Sequence, residues 1–388
     1  MNIGIVGAGA SGLFLGALIK KYHSTYDVVI FEKNDKIGKK LYATGNGRCN
    51  IGNLSISKDT YSNSDFVKKV SKNFTISKEI DFFASIGIPL VNEGDLLYPY
   101  SKSAKNFVTL ISEFLNSQNV EFILNAKIDN YELKNGKIIV KNNDKTYIFD
   151  KFIIASGGKS SPAFGSDGNI FNILKNRGYK ITKCYPGLCP LKTKETNKDI
   201  EGVRNDSMVY IYKDKSLIHS EEGEVLFKKD GLSGIVIMNA SSIIARLDSP
   251  KDIEIVLDLL PNLKEEEIVA LLVQNKKIYA NPLYSLLNSK LADYIFKRFE
   301  IISLNEKNIL FIAKQIKHLE YTFADFYSFN DSQVTVGGID ISCLSDSLES
   351  ITEKNVFFAG EIINIDGLCG GFNLMWALTS ANAIAEVI

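Results

Sequence analysis

Residues 2–12, Asn2-Ile3-Gly4-Ile5-Val6-Gly7-Ala8-Gly9-Ala10-Ser11-Gly12, join a short apolar run to a glycine-rich turn. The apolar run suits a buried strand. Leu13 to Tyr22 then reads as a helix, and Val28 to Glu32 as a second apolar strand ending in an acid. Strand, glycine turn, helix, strand and acid in this order make the dinucleotide-binding βαβ unit. Gly7 permits the tight turn, Gly9 lets a pyrophosphate approach the backbone, and Gly12 lets the helix pack on the strand. The backbone N–H groups of Ala10, Ser11 and Gly12 open the helix at its positive dipole end, where phosphates are favoured. Glu32, 20 residues past Gly12, can accept both hydrogen bonds of a ribose diol. It would repel a 2′-phosphate, which favours FAD or NAD over NADP.

Working outward, Lys33-Asn34-Asp35-Lys36-Ile37-Gly38-Lys39-Lys40 follows the acid. An acid and then a loop with a glycine about six residues on is the FAD pattern. Lys33, Gly38, Lys39 and Lys40 are cofactor-binding candidates on that loop. Ala43-Thr44-Gly45-Asn46-Gly47-Arg48-Cys49-Asn50 continues it with neither helical nor strand period. Backbone N–H groups there, with Thr44, Gly45, Asn46, Gly47, Arg48, Cys49 and Asn50, could surround a flavin ring or phosphate.

With 388 residues, the chain has room for two or three domains with cores of their own. Lysine plus arginine equals aspartate plus glutamate, 45 each, so the formal charge is zero. That balance gives no general reason to expect nucleic acid or an acidic membrane as partner. Five cysteines form no CxxC pair and the three histidines show no ligand spacing, so no metal is expected. No apolar run reaches about 18 residues, and Ile3 to Ile19 lacks a basic lead-in. The expectation is a cytoplasmic protein with free thiols, acting on a small-molecule substrate, its oligomeric state open.

TGNGRCN at 44–50, Gly223-Glu224-Val225-Leu226-Phe227, Gly231-Leu232-Ser233-Gly234 and Gly371-Phe372-Asn373-Leu374 together resemble the BaiN/RdsA-type flavoproteins, also called the aminoacetone oxidase family. The resemblance runs from Met1 to nearly Ile388. It implies an α/β chain: a Rossmann-like FAD-binding domain of glutathione-reductase type, residues 1–188 and 334–388, with an inserted β-barrel-like plus helical domain, 189–333. It also implies an FAD-dependent oxidoreductase with a substrate pocket between the two. Similarity to such folds places Ala126 and Ile128 at the adenine, with Lys127 pointing outward. Ala155, Ser156, Gly157 and Gly158 end a strand beside the cofactor. Gly360 and Glu361 end the last central strand, the acid at a ribityl hydroxyl. Gly370, Gly371, Phe372, Asn373 and Leu374 start the closing helix at the pyrimidine side of flavin. The sequence departs from the family where Lys228-Lys229 replace a Thr-His pair, Cys369 replaces a threonine and an arginine is missing at Leu96-Leu97-Tyr98.

Short strands are expected at Met208 to Tyr212, Ser216 to His219, Val225 to Phe227, Ile253 to Leu257 and Tyr321 to Phe326, and one from Ile128 to Leu133. Helices are expected at Asp65 to Ile86, as one or two pieces, then at Lys264 to Val273, Leu283 to Phe299 and Lys307 to Ile316. His219 and His318 read as isolated. Arg48, Tyr98 and Tyr100 are the catalytic candidates. The expected reaction is hydride transfer at flavin N5 with NADH or NADPH as transient reductant, because no second glycine fingerprint exists for a nicotinamide domain. An RNA-modifying flavoenzyme and a non-catalytic FAD-binding redox sensor are the alternatives.

Overall fold

The computed structural model describes residues 1–388. The chain divides into two compact units, 1–185 with 333–388, and 186–332.

The first unit is built on a five-stranded parallel sheet. At its centre lies β1 (Asn2–Val6). One side of β1 pairs with β2 (Asp27–Phe31) and then with Glu121–Ile123. The other side pairs with Lys151–Ile154 and then with Val356–Phe358. Its central residues are apolar rather than alternating because layers cover both faces: Ile3, Ile5, Phe152, Ile154 and Phe358 are fully buried. Helix α1 (Ala10–Tyr22) connects β1 to β2 and packs on the C-terminal helix Phe372–Ala385. Lys20, buried near the end of α1, is satisfied by donating to the carbonyls of Ser24 (2.7 Å) and Tyr26 (2.9 Å).

A meander of Glu132–Lys134, Lys137–Asn142 and Lys145–Phe149 adds a second sheet. The expected strand from Ile128 to Leu133 is shorter than its apolar pattern suggests: only its end pairs, and Ala126 and Ile128 bury their side chains from irregular backbone. Gly52–Asn53, Leu96–Pro99 and Leu90–Glu93 form a small antiparallel sheet. Residues 65–86 make two helices, Ser64–Val70 and Ile76–Ser85, and Thr75 caps the second.

The second unit holds a closed six-stranded barrel. Its order is Leu191–Thr193, Gly231–Ser233, Ser216–Lys228, Arg204–Lys213, Ile253–Asp258 and Leu319–Phe326, which returns to Leu191–Thr193. Closure removes unpaired edges. Ser216 to His219 and Val225 to Phe227 are one continuous strand, because Arg204–Lys213 pairs along its whole length and carries the charged stretch between them. Leu283 to Phe299 is not one helix. Pro282–Ser285 makes a short turn, and Asn288 caps a new helix, Ser289–Arg298, by accepting from Lys290 N–H (3.0 Å). Ile235–Ala245, Glu265–Asn275 and Glu306–Lys317 are the other long helices of this unit. His219 and His318 are not isolated: each pairs with the glutamate two residues on, Glu221 (3.3 Å), which the strand Ser216–Lys228 places on the same face, and Glu320 (3.0 Å), reached from the C-cap of Glu306–Lys317. No helix is long and apolar enough to cross a membrane.

Candidate flavin site

The glycine turn after β1 shows which glycines the protein itself requires. A Cβ on Gly7, at φ +104°, would lie 2.4 Å from Ala155 O, and one on Gly12 would lie 1.9 Å from Gly7 O. A Cβ on Gly9 would meet no protein atom within 4 Å, and its φ of −81° suits any residue. Packing therefore accounts for Gly7 and Gly12 but not for Gly9, whose missing side chain leaves room at the start of α1 for a pyrophosphate. Ala10 is half-buried. Ser11 is buried with its hydroxyl against Gly360, where a Cβ would lie 1.9 Å from Oγ, so its backbone rather than its side chain faces any phosphate.

Glu32 is brought to this turn. Its Oε2 accepts from Ala8 N–H (2.9 Å), and its Oε1 accepts from Asn34 N–H (2.9 Å) and Asn34 Nδ2 (2.7 Å). An ionised carboxylate offers about four acceptor positions; the protein fills three of them, which leaves one for a ribose hydroxyl. Ala126 N–H donates to Glu32 O (2.8 Å), which brings the segment of Ala126 and Ile128 beside the same acid. Lys127 is exposed and pairs with Asp129 (2.8 Å).

The loop after β2 is tied down by ion pairs: Lys33 with Asp167 (2.8 Å), Lys39 with Asp35 (2.7 Å) and Lys40 with Glu361 (2.7 Å). Gly38 N–H donates to Ala8 O (2.8 Å), joining this loop to the first turn. Glu361 Oε1 also accepts from Thr335 N–H (2.9 Å) and Thr335 Oγ1 (2.8 Å). Thr335 Oγ1 in turn accepts from the N–H groups of Lys159 (2.7 Å) and Ser160 (3.1 Å). A Cβ on Gly158 would lie 2.3 Å from that hydroxyl, so Gly158 is fixed by Thr335. Gly157 takes φ +73°, and Ser166 Oγ lies 2.9 Å from where its Cβ would be. Ser156 Oγ and Ser166 Oγ are both buried without a protein partner. Buried hydroxyls are normally satisfied, so this pair suits a polar ligand at the end of the Lys151–Ile154 strand, beside Ala155.

Residues 41–50 turn tightly. Thr44 Oγ1 donates to Leu41 O (2.7 Å), and Gly45, Asn46, Gly47 and Cys49 all have positive φ. Cys49 is fully buried, and burial pushes its thiol up to about 12, which removes it from nucleophilic chemistry. Arg48 pairs with Glu93 and lies 4.4 Å over the Tyr98 ring. Tyr98 is buried whereas Tyr100 is 70% exposed, so the structure does not bring the three catalytic candidates together. The Asn50 amide donates to Leu97 O (3.1 Å) and Gly52 O (2.9 Å), and accepts from Gly371 N–H (3.3 Å).

Asn50 thereby reaches the loop before the C-terminal helix. Gly370 and Gly371 have φ of +126° and +93°, and a Cβ on Gly371 would lie 2.6 Å from Gly52 O. Asn373 closes this loop on itself, accepting from Gly367 N–H (2.9 Å) and donating to Gly367 O (2.8 Å). Asn53 Nδ2 donates to Gly370 O (2.9 Å) and Tyr61 Oη donates to Phe372 O (2.8 Å). Leu374 is half-buried one residue beyond Asn373, in the first turn of the helix. Thr335, Asn53, Tyr61, Ser160 and Ser166 were missed by sequence reasoning. Each is a common polar residue outside any glycine pattern, and only the fold places it here.

The elements that the glycine turn, Glu32, the orphaned hydroxyls and the 367–374 loop occupy fit a flavin dinucleotide. The chain matches the HI0933-like protein Rossmann domain over residues 1–387. It is 28% identical to a 3-dehydro-bile acid delta(4,6)-reductase of Clostridium scindens, over 97% of this chain and 96% of that one. It is 26% identical to a ribosomal RNA dihydrouridine synthase of Haemophilus influenzae and 27% to one of Escherichia coli, over 98% of this chain and 96% of each relative. The chain therefore belongs to the HI0933-like family of FAD-binding Rossmann proteins, and is an FAD-dependent oxidoreductase.

Proposed function

We propose that the protein reduces an activated carbon–carbon double bond in a small organic substrate, with NADH or NADPH as a reductant that binds only transiently. When bound, FAD supplies hydride transfer at N5. Gly7, Gly9, Ala10, Ser11 and Gly12 hold its pyrophosphate, chiefly through backbone N–H groups. Glu32 binds the adenosine ribose, with Ala126 and Ile128 at the adenine. Lys33, Gly38, Lys39 and Lys40 carry the chain beneath the phosphates. Ser156, Gly157 and Gly158 line the near side, and Glu361, held by Thr335 and Lys40, orients a ribityl hydroxyl. The segment 44–50 flanks the ring. Gly370 to Leu374 present the N-terminus of the last helix to the pyrimidine edge, where the dipole favours the negative charge of the reduced ring.

The observation that carries this reading is Gly9, a glycine that no protein contact requires at the point where a pyrophosphate would pass. The name of the Clostridium scindens relative supports a reductive reaction on a sterol-like substrate. An RNA substrate is the second reading, supported by the names of the two other relatives. An anaerobic absorbance titration with NADH and, separately, NADPH tests the proposal. Bleaching of a yellow protein, followed by reoxidation with an unsaturated ketone of bile-acid type, is expected. Reoxidation by RNA alone would move the assignment to the second reading. A protein that takes up no FAD would remove the assignment of Gly7 to Glu32.

A further inference from the structure

Besides Asn50 at Gly371 N–H, the loop before the C-terminal helix rests on two donors to its carbonyls, the Asn53 amide at Gly370 O and the Tyr61 hydroxyl at Phe372 O. Residues 60–62 are also sewn to 366–368: Leu368 N–H donates to Thr60 O (3.0 Å) and Ser62 N–H to Asp366 O (2.9 Å). Glu79, on the helix Ile76–Ser85, lies beside Tyr61 and beside Gly52, the residue before Asn53. A Cβ on Gly52, next to Asn53, would lie 3.1 Å from Glu79 Oε1, and the ionisation of Tyr61 is opposed by Glu79. The Glu79 side chain is 1% exposed, and its Oε1 has no hydrogen-bond partner. An ionised carboxylate without a partner is strongly disfavoured in such surroundings.

The charges around it do not relieve this. Lys78 and Asp81 on the same helix are exposed, as are Lys68 and Lys69 on Ser64–Val70. Glu93, on the strand packed against the helix, is taken by Arg48 and Lys102. Tyr61 is the titratable group coupled to Glu79, and it is neutral. Burial alone pushes the Glu79 carboxyl up to about 8.

We propose that Glu79 is a positioning residue that couples flavin reduction to uptake of a proton, staying neutral beneath the cradle whenever the reduced ring carries its charge. The proposal rests on the reading of residues 370–374 as the flavin cradle. Below the titration of Glu79 the acid is already protonated. Two electrons from the reductant, a nicotinamide in turnover or dithionite in the test, enter the flavin with one proton. Above that titration, the same two electrons bring a second proton, which forms an O–H bond on the Glu79 carboxylate. The negative charge of the reduced ring holds it there.

The experiment is an anaerobic dithionite titration of the FAD-loaded protein against reference dyes from pH 6 to pH 10. The expected midpoint potential falls with pH with a slope that doubles above about pH 8. Glu79→Gln keeps the shape of the side chain and removes the proton site, so its slope stays single throughout. Infrared redox-difference spectra at pH 9 supply a second reading that needs no variant: a protonated-carboxyl band appears on reduction, and it is absent from Glu79→Gln where that variant folds. A single slope in the wild-type protein with no such band, although FAD is bound, overturns the proposal and leaves the cradle reading standing. A wild-type protein that binds no FAD overturns both.

Discussion

At the scale of single residues, the three glycines of the first turn separate cofactor binding from folding. Gly9→Ala adds a methyl where no protein atom lies within 4 Å, so the melting temperature of the FAD-free protein should barely change. FAD affinity should fall at least about tenfold, which is about 1.4 kcal/mol. Gly12→Ala places a Cβ 1.9 Å from Gly7 O and should lower both melting temperature and FAD content. Calorimetry and fluorescence titration of the two variants distinguish these outcomes. Glu79 predicts a pH effect of definite sign. Its folded-state carboxyl is raised from 4.5 to about 8, so its contribution to stability is fully present below about pH 4.5 and is lost as pH rises through about 8. The melting temperature of Glu79→Gln relative to wild type should therefore rise between pH 5 and pH 8, as a pair of pH series would read.

At the scale of elements, short polar bridges hold the site more than any long helix does. Tyr61→Phe removes the donor to Phe372 O, and with it the tie between Tyr61 and the start of the last helix. It should cost about 1–2 kcal/mol in denaturant unfolding and weaken FAD retention. Thr335 serves three groups at once: the backbone of Lys159 and Ser160, and Glu361. Thr335→Val keeps the shape but breaks all of these bonds, and should release Lys40–Glu361 to solvent. In the second unit, Asn288→Ala removes the cap of Ser289–Arg298 and should cost about 1 kcal/mol, read as lost helicity without a change in FAD content.

At the scale of the whole molecule, the first unit is stapled by one acid. Glu353 Oε1 accepts from Arg177 Nε (2.9 Å), with Nη2 on the same oxygen. Its Oε2 accepts from Tyr179 Oη (2.8 Å) and Tyr131 Oη. The Arg177 guanidinium stacks 3.8 Å over Tyr131. This hub joins the meander, the end of the Asn169–Asn176 helix and the chain approaching the last central strand. Glu353→Ala leaves the Arg177 charge without its carboxylate where it is only 21% exposed, though Tyr131 O still accepts from it, and should destabilise the protein by about 3 kcal/mol. Equilibrium unfolding would measure that loss. Formal charge balance makes a related point at this scale: any RNA affinity must come from a local surface, and its salt dependence would count the phosphates that this surface contacts.

Local chemistry wrote the first βαβ unit plainly. Its signals lie close together along the chain: an apolar strand, glycines forced by backbone contact, a helix start and an acid about 20 residues on. The parallel sheet and the presence of a barrel were legible for similar reasons, since strand patterns depend on period and on turn residues. The length of Ser216–Lys228 was not, because its charged middle is held by a partner strand rather than by its own apolar residues. Neither was the break at Asn288, where a cap outweighs a continuous helical pattern. The supports of the site were hidden more deeply. Thr335 and Glu361 stand 26 residues apart, and Tyr61 and Phe372 stand 311 apart. Sequence by itself determined the family, the fold class and the glycine turn at which a dinucleotide is expected. Only the tertiary structure decided that Ser11 packs inward, that Tyr98 and Tyr100 part company, and that Glu79 is buried. Burial and long-range hydrogen bonding are set by what the rest of the chain brings to a residue, and no local pattern carries that information.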